Sequence, residues 1–415
     1  MEYNPKTIMK CVISRAAVWV FLLAAFALSS CNNDDRAATP SSDLSGHLLL
    51  SASLDEGWQE TTRGERVEKE LEESFGLFAY TYGKDDSWIE NYTVPWKPDM
   101  LCDQEVSMVP EGWATTSLIT LPEGDGTKMQ FFAYYPYRNP ELATEEYQFL
   151  TSRPQYNSEL GTGDAGNPQF GYKTADNAVD QLDFLVGVSV PYQKSADFFK
   201  TPVKLKFKHM LSGVVFKVGP NFREAMTINS ISLTNVYKEG KLTVTPPDEP
   251  DTTDPNYDAK KVYDSATYTW DNLSQPGTVS VNVDFPVKRI EPNENPNKTD
   301  VGKIMNSDEL VMFLIPQTLS QLQSSTLEMV VNDGVHLSAT LEPMELKMGK
   351  ITVFTVSVTS LMKLSLSTSI IDWDNDEDNI FGGSAQDGKA IIPTSEIFDW
   401  GATDPSDITL QQTTN

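Results

Sequence analysis

Short runs of alternating apolar and polar residues follow one another along most of the chain. A two-residue period is typical of β-strands that are buried on one face. Residues 47–54 show it first, with Leu48, Leu50, Ala52 and Leu54 on one face. The strongest further strand candidates in this half are residues 75–82, 117–121, 129–137, 182–190 and 203–218. No long segment has a helical period, although residues 68–73 and 175–181 can each form one turn.

The second half continues the same pattern. Turns that contain glycine predict two hairpins, at residues 237–240 and 332–334, with Gly240 where a positive φ is needed. The strands predicted here are residues 228–233, 241–244, 279–287, 310–316, 327–331, 335–341 and 351–358. Stretches rich in Pro, Asp and Asn predict loops at residues 246–259 and 291–307. The pattern therefore predicts an all-β fold of two β-sandwiches in series.

The N-terminus has the layout of a bacterial lipoprotein signal. Three cations precede an apolar run at residues 16–28, which is much shorter than the about 20 residues of a membrane-spanning helix. The sequence LSSC at residues 28–31 matches a lipobox, so we expect removal of residues 1–30 and lipid on Cys31. An ordinary signal peptide or an amphipathic anchor is the alternative. Residues 31–45 then form an acidic linker.

Charge and cysteine content limit the partners and the covalent chemistry. Removing residues 1–30 takes away three cations and one anion, which lowers the net charge from −27 to −29. This charge disfavours nucleic acid and anionic lipid head groups, and no basic patch is evident in the sequence. Maturation leaves Cys102 as the single free thiol, so no intramolecular disulfide can form. The apolar core and the backbone ladders must hold the fold.

Candidate chemistry is sparse, and we predict no enzyme, no cofactor and no metal site. The histidines His47, His209 and His336 lie far apart in strand patterns, and none belongs to an HExxH or CxxC motif or stands beside a GxSxG motif. Carboxylates are too abundant for any fortuitous pair to be informative.

One acidic run, residues 372–378, resembles part of a calcium loop. Asp374, Asp376 and Asp378 fit the first three ligand positions of an EF-hand. The match then fails, because Asn379 replaces the glycine and Ala385 replaces the bidentate glutamate. An acidic linker is the preferred interpretation.

Tryptophans suggest an alternative role in binding glycans. A flat aromatic face complements a sugar ring, and Trp58, Trp88, Trp96 and Trp113 are candidates. Packing in the core of a β-sandwich is the more frequent use of this residue.

Several motifs, taken in order, resemble the fimbrillin family of the Bacteroidetes, the type V pilins and their fimbrillin-like relatives. They follow the lipobox at Cys31 and a first strand. The matching stretches are TTRG at residues 61–64, FFAYYPY at 131–137, KFKHMLSGVVFK at 206–217, FLIPQ at 313–317, and the late strand after Gly349 and Lys350. The resemblance extends to about Trp373.

The resemblance implies a fold and a mechanism of assembly. The fold would be two tandem transthyretin-like seven-strand β-sandwiches, at residues 46–199 and 200–373. An Arg-specific protease would cut at Arg63 or Arg66, and the first strand would leave with Leu48, Leu50, Ala52 and Leu54. A donor strand from the next subunit would fill the groove. Plain surface charge is the alternative role for the two arginines.

The donor strand suggested by the residues lies near the end of the chain. Residues 361–371 place Leu364, Leu366 and Ile370 at alternate positions. The alternative is an ordinary last strand of the second sandwich. The acidic extension at residues 374–415 departs from the family pattern, and a segment that binds in a cleft, a second donor and disorder all remain open.

The leading hypothesis is a structural or adhesive component of surface fimbriae. Its partners would be other fimbrial subunits, the outer membrane through lipid on Cys31, and a host or bacterial surface ligand, but not nucleic acid. We expect a lipid-anchored precursor at the outer membrane and a fimbria exposed at the cell surface. The alternative is a surface lipoprotein that binds glycans and does not polymerise.

Overall fold

β-Strands make up nearly all of the regular structure, which confirms the all-β prediction. The computed structural model describes residues 46–54, 71, 73–83, 86, 88, 98–110, 112–124, 126–138, 149–154, 156–157, 162–163, 167–195, 198–249, 253, 259–290, 299–306, 311–319, 324–372 and 398–399. Cys31, Arg63, Arg66 and residues 374–378 of the acidic run lie outside these residues.

Twelve strands precede residue 210. They are β1 Leu49–Leu54, β2 Phe75–Tyr82, β3 Leu101–Val109, β4 Gly112–Thr115, β5 Lys128–Tyr135, β6 Leu150–Ser152, β7 Tyr156–Asn157, β8 Thr162–Gly163, β9 Gln169–Lys173, β10 Leu185–Val188, β11 Tyr192–Gln193 and β12 Val203–His209. Short 3₁₀ turns occupy Ala178–Asp180, inside the turn predicted at residues 175–181, and Phe198–Lys200.

Eleven strands and one short helix follow. They are β13 Ser212–Phe222, β14 Met226–Thr245, α1 Ala259–Asp264, β15 Thr267–Val287, β16 Met312–Leu314, β17 Gln317–Leu319, β18 Thr326–Val331, β19 Val335–Thr340, β20 Met344–Leu346, β21 Lys350–Val358, β22 Leu364–Asp372 and β23 Phe398–Asp399. Within the described part of the chain, no helix has the length and apolar character needed to span a membrane.

Seven strands form a closed sheet, which we call the barrel. Their order is β10-β12-β1-β4-β3-β2-β5, and β5 pairs again with β10. One core fills it, and includes Phe75, Trp113, Phe131 and Phe207. Closure leaves these seven strands without a common open edge, so each inward row of side chains contributes to a single core.

The second half forms a two-sheet sandwich. One sheet has the order β16-β13-β21-β22-β23, and the other has β19-β18-β14-β9-β6 with β15 on the far side of β14. Phe216 and Phe354 from the first sheet and Ile231 and Met329 from the second share one core. Alternation in these strands therefore separates this core from the outer faces.

A third apolar cluster joins the barrel to β9, β14 and β15. Phe78, Phe132, Phe170, Phe184 and other aromatic residues belong to it. As a result, β2 is buried along almost its entire length, with one face in the barrel core and the other in this cluster. This explains why residues 75–82 read as an aromatic run rather than a strict alternation.

The hairpin predicted at residues 237–240 is wrong, because β14 runs without interruption from Met226 to Thr245. It pairs with β18 over its first part, with β9 at Glu239–Thr243, and with β15 along both parts. Gly240 serves close packing, since a Cβ atom there would lie 2.9 Å from Leu273 Cδ2. Glycine in a strand often marks such an approach instead of a turn.

Two further strand predictions need correction. Residues 117–121 form no strand, and Leu118 is exposed there. Residues 203–218 form two strands, because the chain leaves the barrel after β12 and enters the sandwich as β13. At the junction Met210 N donates to Phe184 O (2.9 Å) and Gly349 N donates to Leu211 O (2.9 Å).

The hairpin at residues 332–334 is confirmed. β18 and β19 pair in register around it, and Asn332, Asp333 and Gly334 all have positive φ. Short polar residues and glycine tolerate this conformation, which is why the turn was readable from the sequence.

The predicted division at residues 199 and 200 stays a prediction. Residues Ser45–Asn415 form one compact unit, and strand pairing crosses the division in both directions. β12 belongs to the barrel, while β6 and β9 extend the sheet of β14.

A partly buried ion pair ties β3 to the segment after β6. Tyr134 Oη donates to Asp103 Oδ1 (2.7 Å), and Arg153 Nε lies 3.5 Å from Asp103 Oδ2. Burial raises the pKa of the Asp103 carboxyl, while the hydrogen bond from Tyr134 and the charge of Arg153 act in the opposite direction. The net direction is upward, so burial outweighs both partners.

We expect Arg153→Met to make stability depend more steeply on pH. Without the guanidinium the pKa of Asp103 rises further in the folded state. The folded chain then binds more protons than the unfolded chain, so stability falls as pH rises from about 4 to about 7. Relative to the parent chain, the variant's loss in free energy of unfolding should be about 1–2 kcal/mol greater at the upper end of this pH range than at the lower end. Urea unfolding at several pH values measures this difference.

The control is the double variant Asp103→Asn with Arg153→Met, which has no carboxyl to titrate at this position. Its stability relative to Asp103→Asn alone should be independent of pH in the same range. A constant difference between Arg153→Met and the parent chain would contradict the expected role of this ion pair.

Candidate functional site

The first strand, β1, lies between β12 and β4 in the barrel. It pairs in parallel with β12 from Leu50 opposite Val203 to Leu54 opposite Phe207, and antiparallel with β4 at Leu49 and Leu50. β1 begins close to Thr115: Leu48 N donates to Thr115 Oγ1 (3.1 Å), and Thr115 N donates to Leu48 O (3.1 Å). The strand is therefore held on both sides by non-covalent pairing.

Alternate residues of β1 face the barrel core, as the sequence predicts. Leu48 and Leu50 are buried, and Ala52 and Leu54 are partly buried against the same core. Ser51 and Ser53 point outward and are exposed. The half-buried strand is thus confirmed, while its displacement stays a prediction.

Removing β1 would leave a slot between β12 and β4. Backbone groups of both neighbours would lose their partners, and core residues such as Phe207 and Trp113 would border the gap. Leu48 and Leu50 together contribute about 3–6 kcal/mol of burial free energy. An open slot of this kind is a template for another strand of similar pattern.

The outer face beside this slot carries lysines that sequence reasoning missed. Lys204 lies opposite Ser51 and Lys206 lies opposite Ser53. Lys206 Nζ stands 5.2 Å from the ring centroid of Tyr263, and Lys208 Nζ stands 3.8 Å from Asp264 Oδ1. The alternation VKLKFK at residues 203–208 was the available signal, since period-2 lysines fall on one face of a strand.

The proposed cleavage sites, Arg63 and Arg66, lie in the connection between β1 and β2, outside the described residues. β1 and β2 are not neighbours, because β4 and β3 stand between them in the barrel. A cut in this connection would separate β1 covalently from the rest of the barrel without breaking any other strand.

The predicted donor strand forms part of the second sandwich. β22 pairs with β21 over nine residues, from Leu364 opposite Val358 to Asp372 opposite Lys350. Leu364 and Leu366 are buried in the sandwich core, whereas Ile370 is 45% exposed. All three residues therefore lie on β22, and that strand belongs to the second sandwich. Their role as a donor strand stays a prediction.

Histidines occupy separate strands or strand ends. His47 Nδ1 lies 2.7 Å from Thr115 O, His209 Nδ1 lies 2.7 Å from Asp183 Oδ2, and His336 is exposed on β19. In the ranges that the structure describes, no group of three His, Cys, Asp or Glu side chains is arranged to hold a metal ion.

The described tryptophans of the glycan hypothesis are packed. Trp113 is buried against Phe75 at 5.1 Å between ring centroids, and Trp88 Nε1 donates to Asn167 Oδ1 (2.8 Å). Trp58 and Trp96 lie outside the described residues. Trp113 therefore has no open flat face for stacking on a sugar, whereas Trp88 is partly buried beside Tyr80 and Phe132, at 5.6 and 5.3 Å between ring centroids.

Comparison with known proteins identifies one family model. The model described as Fimbrillin-like matches residues 62–373, about three quarters of the chain. None of the curated proteins compared matches the sequence.

Similarities to solved structures include two proteins from Bacteroides and one from Porphyromonas. A candidate cell adhesion protein from Bacteroides ovatus is 14% identical with a TM-score of 0.41, over 79% of this chain and 96% of that one. A second candidate cell adhesion protein, from Bacteroides uniformis, is 13% identical with a TM-score of 0.39, over 79% and 99%. The tip fimbrial protein Mfa3 from Porphyromonas gingivalis, with a C-terminal truncation, is 9% identical with a TM-score of 0.34, over 79% and 99%. Family membership rests on the model match and not on these three similarities.

Proposed function

The chain belongs to the fimbrillin-like family, and from this premise we propose that it is a structural or adhesive component of cell-surface fimbriae. The observation that carries the proposal is the family match over residues 62–373. The barrel supports it, since its first strand is held by non-covalent contacts, through pairing with β12 and β4 and burial of Leu48 and Leu50. We further propose that the protein has no enzymatic activity.

The proposed route to the surface is lipoprotein export. Residues 1–30 would be removed and Cys31 would carry lipid at the outer membrane, as the lipobox at residues 28–31 suggests. The fold proposed for the mature chain is two tandem transthyretin-like seven-strand sandwiches. What supports the proposal is that the chain has two separate cores, one inside the seven-strand barrel and one between the two sheets of the second half, although strand pairing crosses the division at residues 199 and 200.

The proposed assembly is strand exchange with other fimbrial subunits. A cut at Arg63 or Arg66 would free β1, and a strand of the next subunit would enter the slot between β12 and β4. Alternate apolar residues on the incoming strand would replace Leu48 and Leu50 in the core. This arrangement accounts for a first strand that is both half-buried and followed by arginines.

We expect an Arg-specific protease to cut the full chain between β1 and β2 while the barrel stays folded. The cut fragment should stay bound until a denaturant is added, because its ladders to β12 and β4 remain. The double variant Arg63→Ala with Arg66→Ala should abolish this cut completely. Intact-mass measurement on native and denatured samples distinguishes these states.

Arg36→Ala is the matched control. Arg36 precedes β1, so a cut there would release Cys31 without separating β1 from the barrel. Rapid cutting at Arg36 with protection of Arg63 and Arg66 would contradict proteolytic release of β1. The protein would then be better described as a surface adhesin with its first strand retained.

A further inference from the structure

We propose that the side chain of Gln317 fixes residues 235–237 of β14, here called the joint, and thereby fixes the orientation of the barrel relative to the second sandwich. This inference goes beyond the proposed role in fimbriae and depends neither on release of β1 nor on strand exchange. It assigns a positioning role to the last residue of the FLIPQ motif at residues 313–317.

β14 is shared between two cores, and the joint lies between them. Ile231 and Leu233 of β14 belong to the core of the second sandwich. Leu242 and Val244, further along the same strand, belong to the third cluster, which joins β14 to the barrel. A bend of β14 at the joint would therefore change the angle between the sandwich and the barrel.

On one side of β14, the neighbouring strand changes at the joint. The pairs with β18 end where Thr234 lies opposite Thr326. The pairs with β9 begin where Glu239 lies opposite Lys173. Among the described strands, neither β18 nor β9 pairs with the joint itself. The cross-strand bonds that normally stiffen a strand are therefore interrupted on this side.

On the other side, the ladder to β15 contains a β-bulge at the same place. Leu233 lies opposite Val279 and Val236 lies opposite Gly277, so β14 has one residue more than β15 between these two pairs. Asn235 lies in this interval and has a φ of 54°. A bulge disrupts the ladder locally and bends the strand. Both ladders of β14 are thus irregular at the joint.

The ends of the joint are anchored separately. Asn235 Nδ2 donates to Ser324 O (3.0 Å), and Ser325 Oγ donates to Asn235 O (3.2 Å), both from the segment before β18. Just beyond the other end, Thr174 N donates to Lys238 O (2.8 Å), and Thr174 directly follows β9. One anchor therefore belongs to the sandwich, and the other lies next to a strand that packs on the barrel.

The amide of Gln317 supplies the missing ladder bonds between these anchors. Tyr237 N donates to Gln317 Oε1 (2.7 Å), and Gln317 Nε2 donates to Tyr237 O (3.0 Å). A residue of a neighbouring antiparallel strand exchanges the same two bonds. Gln317 is 5% exposed, and its Nε2 also donates to Ile315 O (3.0 Å). Loss of this amide would leave the N–H and C=O of Tyr237 without these partners, at a cost in free energy.

The segment that carries Gln317 is itself held by both halves of the molecule. Phe313 N donates to Gln181 Oε1 (2.6 Å), and Gln181 lies between β9 and the barrel strand β10. Leu314 is buried in the sandwich core, and Ile315 is buried in the third cluster. β17, which begins at Gln317, pairs with β20. Gln317 therefore contacts the joint from a segment that cannot shift without disturbing both cores.

The distance between two spin labels measures the orientation of the barrel relative to the sandwich. In the full chain with Cys11, Cys31 and Cys102 replaced by serine, the labels are attached through Lys204→Cys on β12 and Ser338→Cys on β19, which are both exposed positions. The parent chain should give one narrow distribution of distances. Gln317→Met should widen this distribution at least about twofold, because methionine fills a similar volume but makes neither bond to Tyr237.

Gln169→Met is the matched control. Gln169 Nε2 donates to Thr243 Oγ1 (3.1 Å) on the same strand, and the backbone ladder of β9 to Thr243 does not need this side chain. The width should therefore equal that of the parent chain. Equal widening in Gln169→Met and Gln317→Met would overturn the specific role of Gln317.

Gln317→Glu is the second variant, and circular dichroism establishes which variants are folded. Glutamate keeps an acceptor for Tyr237 N but loses the donor to Tyr237 O, so this variant should also widen the distribution. If Gln317→Met does not fold, Gln317→Glu decides the question. The parent's width in a folded Gln317 variant would overturn the proposal. None of these measurements involves Arg63, Arg66 or β1, so the proposed role in fimbriae is tested separately.

Discussion

Leu50→Asp should unfold the barrel, with a loss of more than about 4 kcal/mol in the free energy of unfolding. Leu50 is 3% exposed, and it stands where β1 pairs with both β12 and β4. A carboxylate there would lose its water and meet only apolar partners of the barrel core. Urea unfolding followed by tryptophan fluorescence measures the loss, because Trp113 belongs to the same core.

Ser51→Asp is the matched control on the same strand. Ser51 is exposed on the outer face and lies opposite Lys204, so the new charge stays hydrated beside a cation. Its effect on stability should remain within about 0.5 kcal/mol. Equal loss in both variants would mean that β1 is not the core strand that its burial pattern indicates.

Removing β1 after the cut at Arg63 or Arg66 should convert the monomer into higher oligomers. The slot between β12 and β4 would expose unpaired backbone groups and the barrel core, and strand addition would cover both. Size-exclusion chromatography with light scattering measures the conversion after the fragment is stripped in mild denaturant. The intact chain should stay monomeric under the same treatment.

Ile370→Asp in the stripped chain tests whether β22 is the donor. We expect at least about a tenfold loss of oligomers, since a charge cannot enter the vacated core. Ile370 is 45% exposed, so its own sandwich should stay folded. Ser367→Asp, on the opposite face of β22, is the control and should still assemble. Undiminished assembly of Ile370→Asp would assign the donor to another segment.

Local alternation made several strands predictable. β1, β2, β5 and the β18–β19 hairpin lie where the sequence placed them, because alternation in β1 and the hairpin strands, aromatic runs in β2 and β5, and turn residues are all signals from a few neighbouring positions. The same logic failed at Gly240, where the glycine accommodates Leu273 from a strand that lies far along the chain. Glycine occurs both in turns and where two chain segments pack closely, so the sequence alone does not distinguish the two.

The sequence did not show which strands pair with each other when they lie far apart along the chain. Residues 203–218 form one apolar stretch in the sequence, yet β12 closes the barrel and β13 begins the sandwich. In the structure Lys206 and Lys208 on β12 lie over the rings of Tyr263 and Tyr268. Their spacing was visible, but their neighbours were not.

The sequence by itself determined the all-β class, the core-facing residues of β1 and the resemblance to the fimbrillin family that the family match confirms. These follow from local side-chain order, which sets which residues a strand can bury. Only the tertiary structure decided that β5 closes on β10, that β1 runs parallel to β12, and that β22 pairs with β21 in the second sandwich. Backbone ladders are chemically alike along every strand, so the choice of partner depends on how distant cores pack together.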